Sequence, residues 1–420
     1  MASNPFLRFP AHSKRIVLLL WGFAFLSYLL RTNITVAQQY IARDMSLNDV
    51  QVGYIFSAFL IGYSIFQLPA GILGDRFGPR LVLTVCGLFW GITTFLSGLV
   101  PGLLLKGTGL ALGSLLLIRF LHGIGEAATY PVAMSAVAIW IAPSRHAFIN
   151  SLIFTGSTLG SAFAPPFVAS VMNVYGWRVT FYLSAVLPVV LAILWWRQSR
   201  DEKEMRVAAR AEGSQDRLRI WRVLTKPAIF TLCLSYLLYC YAISIFVYWL
   251  FKYLVDVRHL SIVNSGWANS LPWIAASIAV PIFGYLSTKA SSRMGYLQGR
   301  RLIATSCLLV SACLMSVVAS THSIGLALSA ISLSVALLFS TESSYWSTAI
   351  ELAREDAGAA SGLMNLSGNL GGVLATSFVP LLVIYFGWFY ALLSGSVLAV
   401  LAAVAWFFIG SESSVDTKLI

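Results

Sequence analysis

The feature that most constrains this chain is a succession of apolar runs, each long enough to cross a membrane. A bilayer core of about 30 Å requires roughly 20 apolar residues per helical span. Of the 420 residues, 58% are hydrophobic and only 10% are charged, and the mean hydropathy is +0.80. A soluble domain carries about 25% charged residues, so we predict an all-α membrane protein of twelve transmembrane helices. The predicted spans are 16–40, 51–74, 81–100, 114–141, 147–173, 178–197, 227–256, 262–288, 301–320, 323–350, 358–385 and 388–410.

The basic residues predict the orientation of these spans. Lys and Arg are in excess in cytoplasmic loops. With the N-terminus inside, all but seven of the 28 Lys and Arg residues fall on the cytoplasmic side. We therefore expect a multi-pass protein of the inner (plasma) membrane with both termini in the cytoplasm. The net charge of +12 does not indicate nucleic-acid binding, because the basic residues lie in loops between apolar runs. The seven exceptions are Arg31, Arg43, Lys106, Arg119, Arg178, Lys252 and Arg258.

One long charged segment, 197–226, divides the spans six and six. We interpret it as a cytoplasmic linker between an N-terminal half, 1–196, and a C-terminal half, 227–420. A duplication leaves internal sequence matches, and here the two halves match when the chain is shifted by 211 positions. The sequence therefore predicts two pseudo-symmetric six-helix bundles. The matched pairs include Gly160 with Gly371, Gly176 with Gly387, Trp177 with Trp388, and Trp195 with Trp406.

Four charged residues lie well inside predicted spans: Arg31 in span 1, Arg119 and Glu126 in span 4, and Glu342 in span 10. Intramembrane charges are costly and by default indicate function. Arg119 and Glu126 are seven residues apart, so both project from one face of a helix, and His122 lies on the same face. The alternative interpretation is a structural Arg and Glu pair that only holds helices together.

Arginine side chains can bind an anion, and glutamate and histidine side chains can bind and release a proton. A guanidinium binds a carboxylate through two hydrogen bonds, so Arg31 and Arg119 together favour an anion site. Glu126 can bind and release a proton, because desolvation and a nearby Arg act on it in opposite directions. His122 is either a proton relay or a hydrogen-bonded packing residue. Glu342 is either a second protonation site or a gate residue, and the sequence alone does not separate these two roles.

Polar residues in the second half offer further ligand groups. Tyr239 belongs to an aromatic set in span 7, and a tyrosine presents both an apolar ring and a hydroxyl. Asn365 and Asn369 lie one turn apart in span 11. Their amides suit the hydroxyl or carboxylate groups of a substrate, although buried amides also join helix to helix.

The loop between spans 2 and 3 reads GILGDRFGPR. It resembles the loop signature of the major facilitator superfamily, except that Pro79 replaces a basic residue. The corresponding loop after span 8 carries Thr288 in place of the acid. By this resemblance the loop controls gating. Its signature residues are Gly71, Asp75, Arg76, Gly78 and Arg80.

Longer motifs resemble one branch of that superfamily. SYLLRTNITVA in span 1, IRFLHGIGEAATYP in span 4 and NLSGNLGG in span 11 are similar to the anion:cation symporter family, which includes hexuronate, glucarate and galactonate permeases and sialin-type transporters. The resemblance implies that Arg31 and Arg119 engage the substrate anion and that Glu126 is the coupling carboxylate. It also implies that Asn365 or Asn369 contacts the substrate. Leu30 stands where the bacterial permeases often carry an acid.

The sequence thus predicts a secondary transporter that imports an organic anion, a sugar acid or small carboxylate, with protons, by alternating access. A proton-independent facilitator or exporter of another polar solute is the alternative within transport. A membrane enzyme or a receptor is the alternative outside it. We expect no cofactor, no metal and no catalytic residue, because the chain has no HExxH, GxSxG or Walker motif. The expected partners are a small organic anion, protons and the lipid bilayer, and the expected state is a monomer.

Overall fold

A computed structural model describes residues 11–100, 105, 108, 110–141, 146–199, 226–353 and 357–410, and nearly all of these residues are helical. The helices of the N-terminal part are α1 (Ala11–Met45), α2 (Asp49–Phe77), α3 (Pro79–Leu99), α4 (Leu110–Glu126), α5 (Thr129–Trp140), α6 (His146–Tyr175) and α7 (Trp177–Gln198). Those of the C-terminal part are α8 (Pro227–Ser244), a π-helical turn (Ile245–Trp249), α9 (Leu250–Asp256), α10 (Ile262–Met294), α11 (Tyr296–Ser320), α12 (Ile324–Ala353), α13 (Ala357–Phe386) and α14 (Trp388–Phe407).

Within the described ranges, twelve helical segments are long and apolar enough to cross a membrane, which confirms the predicted all-α membrane fold. Two of these segments combine shorter helices. Span 4 runs through α4 and α5, and span 7 runs from α8 through the π-helical turn into α9. Every other span is one continuous helix.

The break in span 4 follows Glu126, where the sequence predicted one uninterrupted helix. The backbone N–H of Ala127 bonds to the carbonyls of Gly123 (3.0 Å) and Ile124 (3.3 Å), and α5 starts at Thr129. Pro131 has no N–H to donate to the carbonyl four residues earlier, so regular hydrogen bonding fails at this point. Glu126 consequently occupies the C-terminal end of α4.

The contacts divide the chain into two compact units. The first comprises the described residues of Met1–Leu47 and Ile61–Gly213, and the second those of Asn48–Leu60 and Ser214–Ile420. Of the predicted linker 197–226, residues 200–225 lie outside the described part of the chain.

The same close helix contact occurs in each unit, at the glycines that the internal repeat matched. In the first unit α6 packs on α1, and a Cβ on Gly160 would collide with the carbonyl oxygen of Phe25. In the second unit α13 packs on α8, and a Cβ on Gly371 would collide with the carbonyl oxygen of Leu237. Glycine is needed at both positions because a backbone lies where a side chain would start.

The repeated Gly-Trp pairs start helices. Gly176 precedes α7 with a φ of 82°, and Gly387 precedes α14 with a φ of 86°. Only glycine adopts this backbone region without strain. The repeated tryptophans of these two helices, Trp195 and Trp406, are both fully buried (0% exposed).

The first part of α2 belongs to the second unit, whereas the sequence prediction assigned all of span 2 to the N-terminal half. Three kinds of contact explain this assignment. The Ser57 and Thr376 hydroxyls lie 2.7 Å apart, and Lys252 Nζ lies 3.2 Å from Asp49 Oδ1. The ring of Phe56 packs on Tyr248 at 5.3 Å. Hydropathy and loop charge carry no information about such a lateral contact.

Candidate functional site

A buried ion pair joins α1 to α4 in the first unit. Arg31 Nη2 lies 2.7 Å from Glu126 Oε1, and the side chains of Arg31 and Glu126 are 14% and 1% exposed. Ser27, one turn before Arg31, donates its hydroxyl to the same carboxylate oxygen at 2.6 Å. Two donors, one of them charged, therefore converge on the same carboxylate oxygen.

The other two polar residues of the predicted span 4 face lie beside this pair. His122 is 1% exposed, and its Nε2 lies 3.9 Å from Glu126 Oε2, while its Nδ1 lies 2.7 Å from the Thr93 hydroxyl on α3. Arg119 is 3% exposed and acts electrostatically on His122. The structure thus brings together the sequence-predicted residues Arg31, Arg119, His122 and Glu126.

Aromatic rings surround the Arg31 guanidinium. Its Cζ lies 4.8 Å from the ring centre of Tyr28 and 5.2 Å from that of Tyr63 on α2. A cation is attracted to the electron-rich face of such rings. The Arg31 guanidinium is therefore held by a carboxylate and by two aromatic faces.

A second carboxylate occupies span 10 in the second unit, with different partners. Glu342 Oε1 accepts hydrogen bonds from the hydroxyls of Tyr236 (3.3 Å) and Tyr239 (3.2 Å), and its Oε2 accepts one from Trp346 Nε1 (2.9 Å). Tyr236 and Tyr239 are buried, while Glu342 and Trp346 are half-buried. Among the described residues, no cationic side chain lies within ion-pairing distance of Glu342.

The two asparagines of span 11 lie on α13 and are half-buried. The amide nitrogen Nδ2 of Asn369 is buried and has no hydrogen-bond partner among the described residues. Its neighbour Gly368 lies against the ring of Tyr236, which places this turn of α13 beside the tyrosine that contacts Glu342. A buried amide without a partner is costly and can be satisfied by a ligand.

The signature loop forms the junction of α2 and α3. Gly78 has a φ of 82° and precedes Pro79. Arg80 donates from Nη2 to the Trp196 carbonyl at 3.0 Å, and its guanidinium lies 4.1 Å from the Trp196 ring centre. Arg80 thereby stabilises the C-terminal end of α7. Gly71 is half-buried on α2 and Arg76 is exposed, while the side chain of Asp75 lies outside the described part of the structure.

Sequence reasoning missed several residues of the site. Ser27 lies four residues before Arg31, so helical spacing alone places both on one face of α1 and would have identified it. Thr93 and Trp346 had no such signal, because each is one polar or aromatic residue among many in an apolar span. Their role is visible only from the packing of α3 on α4 and from the rotamer of Trp346.

The fold and this set of buried charges define a multi-pass membrane protein, and comparison with known proteins places it in a family. The family model of the Major Facilitator Superfamily matches residues 20–376. This match covers most of the chain, and the protein belongs to that superfamily.

Curated relatives and solved structures agree with this assignment. A hexuronate transporter of Bacillus subtilis is 29% identical over 93% of both chains. A protein named as a probable sulfoacetate transporter of Cupriavidus necator is 28% identical over 94% of this chain and 93% of its own. The crystal structure of a bacterial homologue of the human lysosomal transporter Spinster has a TM-score of 0.80, with 18% identity over 96% of this chain and 97% of that chain. The major facilitator fold predicted from the sequence is confirmed.

Proposed function

We propose that the protein is a secondary active transporter that imports an organic anion together with protons by alternating access. The substrate class is a sugar acid or a small carboxylate, which agrees with the hexuronate and sulfoacetate named for two relatives. The proposed setting is the inner membrane, with both termini in the cytoplasm and the monomer as the working unit.

The observation that carries this proposal is the buried Arg31 and Glu126 pair at 2.7 Å. A substrate carboxylate would compete with Glu126 for the same guanidinium, with Arg119 as the second cation. Glu126 would then be a buried carboxylate without its ion pair, and breaking such a pair costs about 3–5 kcal/mol. A proton on Glu126 removes that cost. Anion binding therefore favours proton binding, and the reverse holds by linkage.

In the second unit we assign Tyr239, Asn365 and Asn369 to substrate contact. Their hydroxyl and amide groups can bond to hydroxyls or to a carboxylate. Glu342 is the second candidate for proton coupling. We rank Glu342 as the weaker candidate of the two, because among the described residues protonation of Glu342 would release no cation. In the signature loop we assign Asp75 and its neighbours to gating.

Purified protein in detergent tests the substrate class first. We expect the transported anion, a sugar acid or a small carboxylate, to raise the melting temperature more than aromatic acids or phosphate, since only binders of the folded state stabilise it. Uptake of radiolabelled D-glucuronate into proteoliposomes then tests coupling. Accumulation should require an inward proton gradient and should collapse with a protonophore. Uptake that ignores the gradient would indicate a facilitator instead.

A further inference from the structure

Glu342 on α12 is a carboxylate within a membrane span, and its described partners are all neutral. Its Oε1 accepts hydrogen bonds from Tyr236 (3.3 Å) and Tyr239 (3.2 Å), and its Oε2 accepts one from Trp346 (2.9 Å). Among the described residues, no cationic side chain pairs with it. Acids within spans pair with other polar groups and mark the paths of substrates and ions. In its ionised form Glu342 therefore has no counter-charge in the described ranges, and a ligand can supply one.

Three oxygen atoms converge at this carboxylate: Glu342 Oε1 and the hydroxyl oxygens of Tyr236 and Tyr239. An O–H···O hydrogen bond is usually about 2.7–2.8 Å long, so both tyrosine contacts are long. An ammonium group carries three N–H donors, and a phenol oxygen can accept as well as donate. A nitrogen between the three oxygens can donate one hydrogen bond to each of them. A primary ammonium group therefore matches this set of acceptors.

The aromatic side chains of the site favour an organic cation over a metal ion. The ring centres of Tyr236 and Tyr239 lie 5.5 Å apart, and the third donor to Glu342 is the indole of Trp346. Aromatic faces attract ammonium groups, whereas calcium and magnesium take about six or more oxygen ligands. The part of the chain that the structure describes contains no group of three or more His, Cys, Asp or Glu residues that could hold a metal ion. An ammonium group also favours the ionised carboxylate, because a nearby opposite charge stabilises the charged form.

The face of α12 that carries Glu342 is accessible. Glu342 and Trp346 lie one turn apart, and Ser343 and Ser347 occupy the adjacent positions on this face. All four side chains are half-buried. Ser344, on the opposite side of the helix, is 0% exposed. Because charged and polar side chains within spans face a bundle interior or a water-filled cavity rather than lipid, a ligand can reach this face.

A donor that has no partner lies on the neighbouring helix. Asn369 Nδ2 on α13 is buried and has no hydrogen-bond partner among the described residues, and the preceding residue, Gly368, lies against the ring of Tyr236. Helix α8 packs on both α12 and α13, and α12 packs on α13. The three helices thus hold an acceptor site at Glu342 and a donor at Asn369. A ligand that satisfies both has a cationic group and also a hydroxyl or carboxylate oxygen.

We propose that Glu342, Tyr236 and Tyr239 form a binding site for a primary ammonium group, and that the transported anion is amphoteric, with an amino group besides its carboxylate. The second clause rests on the proposed function, whereas the first is a property of the second unit alone. Glu342 forms the ion pair, and the two tyrosine oxygens accept the remaining N–H groups. Asn369 Nδ2 donates to a hydroxyl or carboxylate oxygen of the same ligand. Amino sugar acids and amino acids have this combination of groups.

A matched pair of ligands tests the ammonium site. D-Glucosaminate and D-gluconate differ only at the carbon next to the carboxylate, where the first carries an ammonium group and the second a hydroxyl. Isothermal titration calorimetry of the purified protein at neutral pH measures both dissociation constants. We expect the wild-type protein to bind D-glucosaminate roughly 10- to 100-fold more tightly, the range for one charged hydrogen bond.

Variants of the site separate the roles of its residues. Glu342→Gln keeps an acceptor but removes the charge, so the ratio of the two dissociation constants should fall to about one. Tyr239→Phe removes one acceptor oxygen and should reduce the ratio by roughly 2- to 10-fold. Asn369→Ala should weaken both ligands by a similar factor, because its amide binds a group that both ligands share. The ratio is measured within one preparation, so partial loss of folded protein does not change it.

Two further variants are matched controls that should keep the wild-type ratio. Glu351→Gln removes the second acid of α12, which already pairs with Arg300 at 3.3 Å. Tyr345→Phe removes a buried hydroxyl that lies 2.7 Å from Ser235 Oγ and makes no hydrogen bond to Glu342.

Several results would overturn the ammonium site. One is equal affinity of the wild-type protein for the two ligands, and another is a preference that survives in Glu342→Gln. Saturable binding of sodium chloride alone that Glu342→Gln removes would identify a metal-cation site instead. D-Glucosamine has the ammonium group without the carboxylate, and binding of D-glucosamine as tight as that of D-glucosaminate would overturn the amphoteric anion.

Uptake into proteoliposomes separates this inference from the proposed function. If D-glucosaminate is preferred through Glu342 but its uptake ignores an inward proton gradient, the ammonium site stands and symport fails. If D-gluconate uptake is proton-driven but the two ligands bind equally, symport stands and the ammonium site is wrong. Binding of neither ligand would overturn the ammonium site and would remove sugar acids of this type from the proposed substrates.

Discussion

Each unit holds a carboxylate within a membrane span, Glu126 in the first unit and Glu342 in the second, and the partners of the two carboxylates differ. Glu126 in span 4 pairs with a guanidinium at 2.7 Å. Glu342 in span 10 accepts hydrogen bonds from two tyrosines and a tryptophan, and none of the described cations pairs with it. These spans are equivalent in the internal repeat, each being the fourth of its half. At the shift of 211 positions Glu126 matches Leu337 and Glu342 matches Pro131, so the two acids do not occupy equivalent positions of the repeat.

Because their partners differ, protonation of Glu126 and protonation of Glu342 have different consequences. A proton on Glu126 weakens a charge-assisted bond and makes Arg31 available to another anion. A proton on Glu342 changes the strength of three bonds to neutral donors and makes no cation available. Of the two acids, we therefore expect only Glu126 to link proton binding to anion binding. Variants of the two sites test this contrast.

The largest effect is expected for transport by Arg31→Lys. Lysine keeps the charge but cannot present two parallel N–H donors to a carboxylate. Loss of one charged hydrogen bond, about 1.5–3 kcal/mol, corresponds to roughly 10- to 100-fold in initial uptake. Arg119→Lys should lower initial uptake by a similar factor. The measurement is D-glucuronate uptake in proteoliposomes matched for protein content, and full uptake by both variants would exclude the proposed role of the two arginines.

The effect expected on stability is larger in free energy. Arg31→Ala leaves Glu126 buried without its ion pair, which should lower the free energy of unfolding by about 3–5 kcal/mol. Trp346→Phe removes one neutral donor from Glu342 and should cost only about 1 kcal/mol. Equilibrium unfolding in mixed micelles measures both losses. The double variant Arg31→Ala with Glu126→Gln should recover much of the loss, and failure to recover would mean that packing of Arg31 matters more than its charge.

The smallest effect on binding is expected at the signature loop, which is remote in sequence from both acids. Asp75→Asn should slow net uptake but leave the equilibrium affinity for D-glucuronate at the wild-type value, because gating loops affect conformational steps. Arg76→Gln, in the next position of the same loop, removes a charge of the opposite sign and serves for comparison. A large loss of affinity with normal cycling would instead place Asp75 in the binding site.

The fold could be predicted from the sequence because membrane burial leaves a strong pattern. Hydropathy located the spans, and the Gly-Trp pairs located the repeat. Helical spacing placed Arg119, His122 and Glu126 together, since positions three or four apart share a face. Contacts between distant spans could not be predicted in this way. The hydroxyl of Thr93 reaches His122 only because α3 packs on α4, and no spacing within one helix encodes that contact.

Contacts between distant spans of the second unit could not be predicted from the sequence either. Tyr239 and Glu342 were both identified as candidates from their own spans, but their 3.2 Å hydrogen bond joins α8 to α12 and depends on how these helices pack. The helix break after Glu126 also depends on local geometry around Pro131. The sequence therefore identified most of the charged residues of the site and few of the neutral residues that position them.

The most direct test compares Glu126→Gln with Glu342→Gln in the same vesicle preparation. Each glutamine mimics an uncharged acid that cannot titrate, and a symporter needs a titrating group to draw work from the proton gradient. We predict that Glu126→Gln abolishes proton-driven accumulation of D-glucuronate and keeps counterflow, whereas Glu342→Gln keeps both. Proton-driven accumulation by Glu126→Gln, or its loss only in Glu342→Gln, would contradict the assignment of coupling to Glu126.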